Sequence, residues 1–147
     1  MDVLAPVAGR AMPISEVPDP VFAGLMVGPG IGIDPEMVAG TAVAPIAGTI
    51  VKLHPHAFVI SGEAGAVLVH LGIDTVQLKG EGFTVHAAEG STVAAGDPIV
   101  SWDPAAVVAG GKSAAVPVVA LEGTPEMIAG MVTSGAVSAG DLVFSWS

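Results

Sequence analysis

Cysteine is absent from all 147 residues, which removes disulfides, thiolate metal sites and a cysteine nucleophile from consideration. Basic residues are almost as scarce, with four Lys and Arg against 14 Asp and Glu and a net charge of −10. That balance excludes a nucleic-acid partner, which needs a basic face, and argues against an anionic membrane surface. No apolar run approaches the roughly 18 residues of a membrane span, because Gly, Pro and charges interrupt each one. The opening residues, Met1-Asp2-Val3-Leu4-Ala5-Pro6, lack the basic start and apolar core of a secretion signal. A cytoplasmic location is therefore expected.

Aromatic residues make up only 4% of a chain that is 52% hydrophobic, so the apolar content is chiefly Ala, Val and Ile. With 20 glycines and 12 prolines as punctuation, this composition predicts many short strands joined by tight turns. The length suits one domain with one core. No linker or change of composition divides it, so a single domain over residues 1–147 is expected.

Two segments occur twice. Ala5-Pro6-Val7-Ala8-Gly9 returns as Ala44-Pro45-Ile46-Ala47-Gly48, and the stretch from Val93 to Trp102 returns from Val137 to Trp146. Two copies are too few for a solenoid. They predict instead a duplicated β-unit closing as an antiparallel sandwich or barrel. Strands are expected near 24–27, 30–34, 42–44, 48–53, 57–61, 65–70, 75–78, 98–102, 116–120 and 142–146. One short helix is expected over 125–133, with Thr124 as its cap, and a second helical turn at Asp103-Pro104. Gly-Asp turns and Ala-Pro starts also occur in biotinyl and lipoyl carriers. The lysines here, Lys52, Lys79 and Lys112, have neither carrier's flanking residues.

The chemistry is expected in residues 54–74. Two apolar runs flank Ser61-Gly62-Glu63-Ala64-Gly65, a good hairpin connection. Centred on Glu63, that hairpin sets His56 directly across from His70, with Phe58 opposite Leu68 and Ile60 opposite Ala66 on the same face. Ala57, Val59, Val67, Val69 and Leu71 then form the core face. Isolated strand histidines are usually solvated bystanders, and His54 and His86 are read that way. A facing pair is different, because two imidazoles side by side are unfavourable when protonated.

The run from Val69-His70-Leu71-Gly72-Ile73-Asp74 to Phe83 resembles the phosphorylation-site motif of glucose-type IIA proteins of the bacterial sugar phosphotransferase system. His56-Ala57-Phe58 resembles that family's second active-site histidine, and Val17-Pro18-Asp19-Pro20-Val21-Phe22 and Gly28-Pro29-Gly30-Ile31-Gly32-Ile33 match earlier landmarks in order. The resemblance implies a compact antiparallel β-sandwich of the duplicated hybrid-motif kind. It further implies that His70 takes a phosphoryl group from the carrier HPr through Nε2 and passes it to a cysteine of a IIB domain. His56 would donate to the phosphoryl oxygens, and the Gly72 carbonyl would hold the His70 tautomer. Val21, Phe22, Leu25, Met26, Val27, Phe58 and Leu68 would make an apolar docking patch rimmed by Asp19 and Asp74.

The resemblance leaves the sugar open between glucose and N-acetylglucosamine classes, and implies a monomer that also binds regulated metabolic enzymes. No cofactor is obligatory, although His56 and His70 could share a zinc ion with a partner's carboxylate. His54 stands where the family usually has threonine, and the basic tail of some members is not expected. A zinc hydrolase is the rival: His54-x-His56 and His70-x-x-x-Asp74 are fragments of a metallopeptidase site. Such peptidases place those fragments in the reverse order.

Overall fold

The computed structural model describes residues 1–147. Fourteen strands run in chain order: β1 Asp2–Leu4, β2 Gly9–Pro13, β3 Gly30–Pro35, β4 Gly40–Val43, β5 Gly48–His54, β6 Ala57–Ser61 and β7 Ala66–His70, followed by β8 Phe83–Val85, β9 Thr92–Val93, β10 Pro98–Trp102, β11 Val116–Ala120, β12 Ile128–Ala129, β13 Ala136–Val137 and β14 Leu142–Trp146. Two short helices, α1 Pro20–Ala23 and α2 Pro104–Ala109, interrupt them. One eight-stranded sheet has the order β13-β2-β3-β11-β7-β6-β5-β9, and two three-stranded sheets have the orders β1-β14-β12 and β4-β10-β8. All pairings are antiparallel. This is the expected all-β sandwich.

The sequence echoes are structural echoes. β1 joins β14 through Leu4↔Leu142, Val3↔Phe144 and Asp2↔Ser145, and β4 joins β10 through Val43↔Pro98, Ala42↔Val100 and Thr41↔Ser101, with a bulge at the corresponding step. The Ser145 hydroxyl donates to Asp2 Oδ1 at 3.0 Å, and the Ser101 and Thr41 hydroxyls pair at 2.8 Å in the matching place. Asp97 Oδ2 accepts from the Ala94 amide, and Asp141 Oδ2 from the Ser138 amide, each at 2.8 Å. The halves also cross: the Leu4 amide donates to the Pro45 carbonyl and the Val43 amide to the Pro6 carbonyl, both at 2.9 Å. Each repeat therefore supplies backbone partners to the other.

The main core lies between the sheets and includes Val3, Ile31, Ile50, Phe58, Ile60, Val67, Val69, Val118, Phe144 and the two echo tryptophans, Trp102 and Trp146. A second cluster, Ile14, Val17, Phe22, Ile73, Ala115 and Val119, covers the opposite face of the large sheet. Consequently β11 is buried along its whole length. A strand buried on both faces reads as a continuous apolar run rather than an alternation, and Val116-Pro117-Val118-Val119-Ala120 has that character.

Three expected elements differ. Residues 24–27 are the irregular exit from α1, because Asp19 caps that helix through Oδ1 to the Val21 amide at 2.8 Å and Pro20 occupies its first position. The same Asp-Pro pair opens α2, where Asp103 Oδ1 accepts from the Ala105 amide. Thr75–Leu78 is a 3₁₀ turn rather than a strand. The expected helix over 125–133 shrinks to the 3₁₀ turn Pro125–Met127 without a Thr124 side-chain cap. Ile128 instead pairs with Trp146 as part of β12, so sheet pairing overrides the local helix signal.

Asp97→Ala and Asp141→Ala should each destabilise the fold by about 1 kcal/mol, the usual net worth of one such hydrogen bond. They share no partner, so the double variant should lose the sum. Urea unfolding checks this, and an effect confined to one site would show that the repeats are not energetically equivalent.

Candidate functional site

The β6–β7 hairpin turns on Gly62 to Gly65, closed by the Gly62 amide donating to the Gly65 carbonyl at 2.9 Å. Its midpoint falls between Glu63 and Ala64, so the register is Ala57↔His70, Phe58↔Val69, Val59↔Leu68 and Ile60↔Val67. This corrects the expected register by one residue. Such a slip exchanges the faces of one strand. Phe58 and Ile60 enter the core, Phe58 with only 1% of its surface exposed, and Val59 joins Leu68 on the outer face. Phe58 therefore cannot belong to a docking patch. Gly65 packs directly against Trp146, and a β-carbon there would collide with the indole.

The histidines nevertheless meet. His56 lies in the two-residue Pro55-His56 turn between β5 and β6, outside the ladder, and its carbonyl accepts from the Leu71 amide at 2.7 Å. Its ring stands edge-on to that of His70, with centroids 5.2 Å apart and planes at 64°. On its other side His70 meets the tilted ring of Phe22 at 5.6 Å, which α1 delivers.

The segment after β7 fixes His70. Its Nδ1 pairs with the Gly72 carbonyl oxygen, which can only accept, so the proton sits on Nδ1 and Nε2 keeps its lone pair. Gly72 has φ +83°, and a β-carbon there would lie 2.6 Å from Thr75 Cγ2 and 2.9 Å from the Ser113 carbonyl oxygen. Thr75, fully buried, donates from its hydroxyl to the Leu71 carbonyl at 2.8 Å, and the Ile73 amide donates to Ser113 at 2.9 Å. Thr75 and Ser113 were not singled out from the sequence. Nothing in a threonine or serine codon marks it as the brace of a turn.

Electrostatics keep both rings neutral. Burial, then the neighbouring His70 and His54, push the His56 imidazolium down to about 4. Burial also lowers His70, against the opposing pull of the Gly72 hydrogen bond and of Asp19 and Asp74. A neutral imidazole with a free Nε2, a second imidazole facing it and two nearby carboxylates is a nucleophile with a companion donor. No set of three His, Asp or Glu side chains is placed to hold a metal ion. The hydrolase alternative therefore lacks its ligand set.

The other expected site residues divide. Val21, Leu25 and Met26 are exposed, Met26 by 75%, and Val27 and Leu68 are half-buried. Phe22 is largely buried, touching His70 rather than solvent. Leu25, Met26 and Val27 border an open depression of about 850 Å³ whose floor includes Val59 and Ala66 of the same outer sheet face. The sequence reading missed Val59 because of the register.

No helix is long and apolar enough to cross a membrane. The family model for the phosphoenolpyruvate-dependent sugar phosphotransferase system, EIIA 1, matches residues 1–124. The glucose-specific EIIA component of Bacillus cereus is 43% identical over 80% of this chain and 72% of its own length. The mannose-specific EIIBCA component of Corynebacterium glutamicum is 46% identical over 70% of this chain, a match spanning only 15% of that longer protein. Among solved structures, glucose permease IIA from Mycoplasma capricolum superposes with a TM-score of 0.86 at 35% identity, covering 98% of this chain and 94% of that one.

Because both imidazoles hold a proton less tightly folded than unfolded, the unfolded chain binds more protons between its ordinary 6.5 and the folded value of about 4 for His56. The stability they contribute is present above about pH 6.5 and is lost as pH falls through that window. Calorimetric melting should therefore decline less steeply from neutral pH to about pH 4.5 in a His56→Gln/His70→Gln double variant than in the parent. Equal slopes would contradict the shifts.

Proposed function

The chain belongs to the EIIA 1 family and is a phosphocarrier component of the sugar phosphotransferase system, and from that premise we propose that His70 is the residue that carries the phosphoryl group. The observation that supports this most is the Nδ1–Gly72 hydrogen bond, which leaves Nε2 as the free nucleophile.

In the proposed exchange, His70 Nε2 attacks the phosphorus of phosphorylated HPr. The donor's N–P bond breaks and its electron pair returns to the donor imidazole. The His70 proton stays on Nδ1, against the Gly72 carbonyl, while the phosphoryl group is carried. On transfer to the cysteine thiolate of a IIB domain, the N–P bond breaks and His70 leaves as a neutral imidazole. No proton has to be found for either step. Phosphoryl transfer needs chiefly positioning and charge stabilisation, and His56 is suited to donate an N–H to the equatorial oxygens. No metal or organic cofactor is needed.

Docking would use the exposed Val21, Leu25 and Met26 with Leu68 behind them, and Asp19 and Asp74 would attract a basic partner surface. The names of relatives with EIIB and EIIC parts in the same chain favour a IIB partner, whether separate or fused. We place this single EIIA domain, residues 1–147, in the cytoplasm as a monomer, serving a sugar of the glucose or N-acetylglucosamine class and able to bind regulated metabolic enzymes. His56 and His70 supply two of zinc's four tetrahedral positions. Zinc would therefore bind weakly unless a partner carboxylate joined it, and would compete with phosphorylation.

His70→Gln should abolish labelling by enzyme I, HPr and phosphoenolpyruvate with the fold intact. Retained labelling would overturn the assignment. His56→Gln should slow donation to IIB by at least about tenfold, and acceptance less, because an amide donates a hydrogen bond but cannot take up charge as the phosphoryl group leaves. Equal losses in the two half-reactions would show a different role. Asp74→Lys should slow association with HPr, and more at low salt than at high. A rate indifferent to salt would place the partner elsewhere.

A further inference from the structure

His56 has a second neighbour. The final pair of the β5–β6 ladder is His54↔Ala57, and Ala57 is also the partner of His70 in β7. His54 and His70 therefore flank one alanine on the same outer face, and the Pro55-His56 turn hangs over the gap between them. The Pro55-His56 turn brings the His54 and His56 rings into a stacked arrangement, with centroids 5.6 Å apart and planes at 18°. His56 thus contacts two other imidazoles, stacked with His54 and edge-on to His70.

Neither ring nitrogen of His56 has a hydrogen-bond partner in the chain, in contrast to His70, whose Nδ1 is tied to Gly72. The backbone of His56 is held by the Leu71 amide, and Pro55 lies against Gly80. Those contacts fix where the ring is attached but not how it is turned. Only ring contacts can do that, and those of the His56 ring are with His70, edge-on, and with His54, stacked. A ring that must aim an N–H at a transient phosphoryl oxygen needs such a wall, because an ordered donor avoids the cost of immobilising a free rotor.

We infer that His54 is a positioning residue, whose ring stacks on His56 and holds it edge-on to His70 for phosphoryl transfer. This rests on the proposed roles of His70 and His56. The contribution of His54 is its flat face, not its nitrogens. His54 is exposed to solvent and stacks on His56, and it leaves Nε2 of His70 to the partner.

Two variants separate face from nitrogen. His54→Ala removes the wall, and His54→Phe restores it without a titrating group. Donation to IIB should fall about two- to tenfold in His54→Ala, the range expected for releasing one side chain, and His54→Phe should recover most of that loss. The second reading is NMR titration of the His56 ring in the unphosphorylated protein. The parent should titrate at about 4. His54→Ala should move that midpoint up toward the ordinary value by removing both the neighbouring charge and the cover over the ring, whereas His54→Phe, which removes the charge but keeps the ring covered, should move it less. His70, Asp19 and Asp74, the other groups acting on the pair, are unchanged in both variants. An unaltered His56 titration and donation rate in His54→Ala would overturn the inference, as would a phenylalanine variant no better than alanine. If the parent accepted no phosphoryl group at His70, the functional reading would fail, while the titration would still decide whether His54 orders His56.

Discussion

One hydrogen bond organises this protein: the pairing of His70 Nδ1 with the Gly72 carbonyl. It selects the tautomer, fixes the ring and exposes Nε2, and it can form only if the chain reverses sharply after β7. The left-handed backbone at Gly72 permits that reversal, and Thr75 and Ser113 brace it from inside. Asp74 then projects outward beside His70 as a left-handed residue itself, exposed and charged. The rest of the fold holds that short segment at the end of β7 against the large sheet.

The large sheet is covered on both sides. The duplicated strand pairs, β1 with β14 and β4 with β10, close the main core from one side and interlock through Leu4–Pro45 and Val43–Pro6. On the other side α1 and the turn before it seal Val119 and bring Phe22 to the His70 ring. Burial lowers the proton affinity of both imidazoles, and at His70 the Phe22 ring of that second layer is part of the cover.

Much of this was legible in the sequence. The echo of Val93–Trp102 in Val137–Trp146 foretold the duplicated strands, down to the turn aspartates Asp97 and Asp141. The pattern around His70 pointed to this segment, and His56 does meet His70, though from the turn and not across the ladder, where Ala57 is the partner. The register was not legible, because Ser61-Gly62-Glu63-Ala64-Gly65 offers two nearly equivalent turn centres and the contact of Gly65 with distant Trp146 cannot be read from the local sequence. That single residue of slip sent Phe58 inward and Val59 outward. The helix α1 was missed although Asp19-Pro20 repeats the Asp103-Pro104 signal, since its four residues are too few to show a periodicity. The role of His54 was hidden too, because stacking depends on how the Pro55 turn folds back.

The central claim is that the phosphoryl group rides on Nε2 of His70 while Nδ1 keeps its proton. Heteronuclear NMR of the ¹⁵N-labelled, phosphorylated protein tests it directly. The account predicts one-bond coupling of phosphorus to Nε2 of His70, with a slowly exchanging proton on Nδ1. Phosphorus on Nδ1, on His56 or on any other side chain would contradict it.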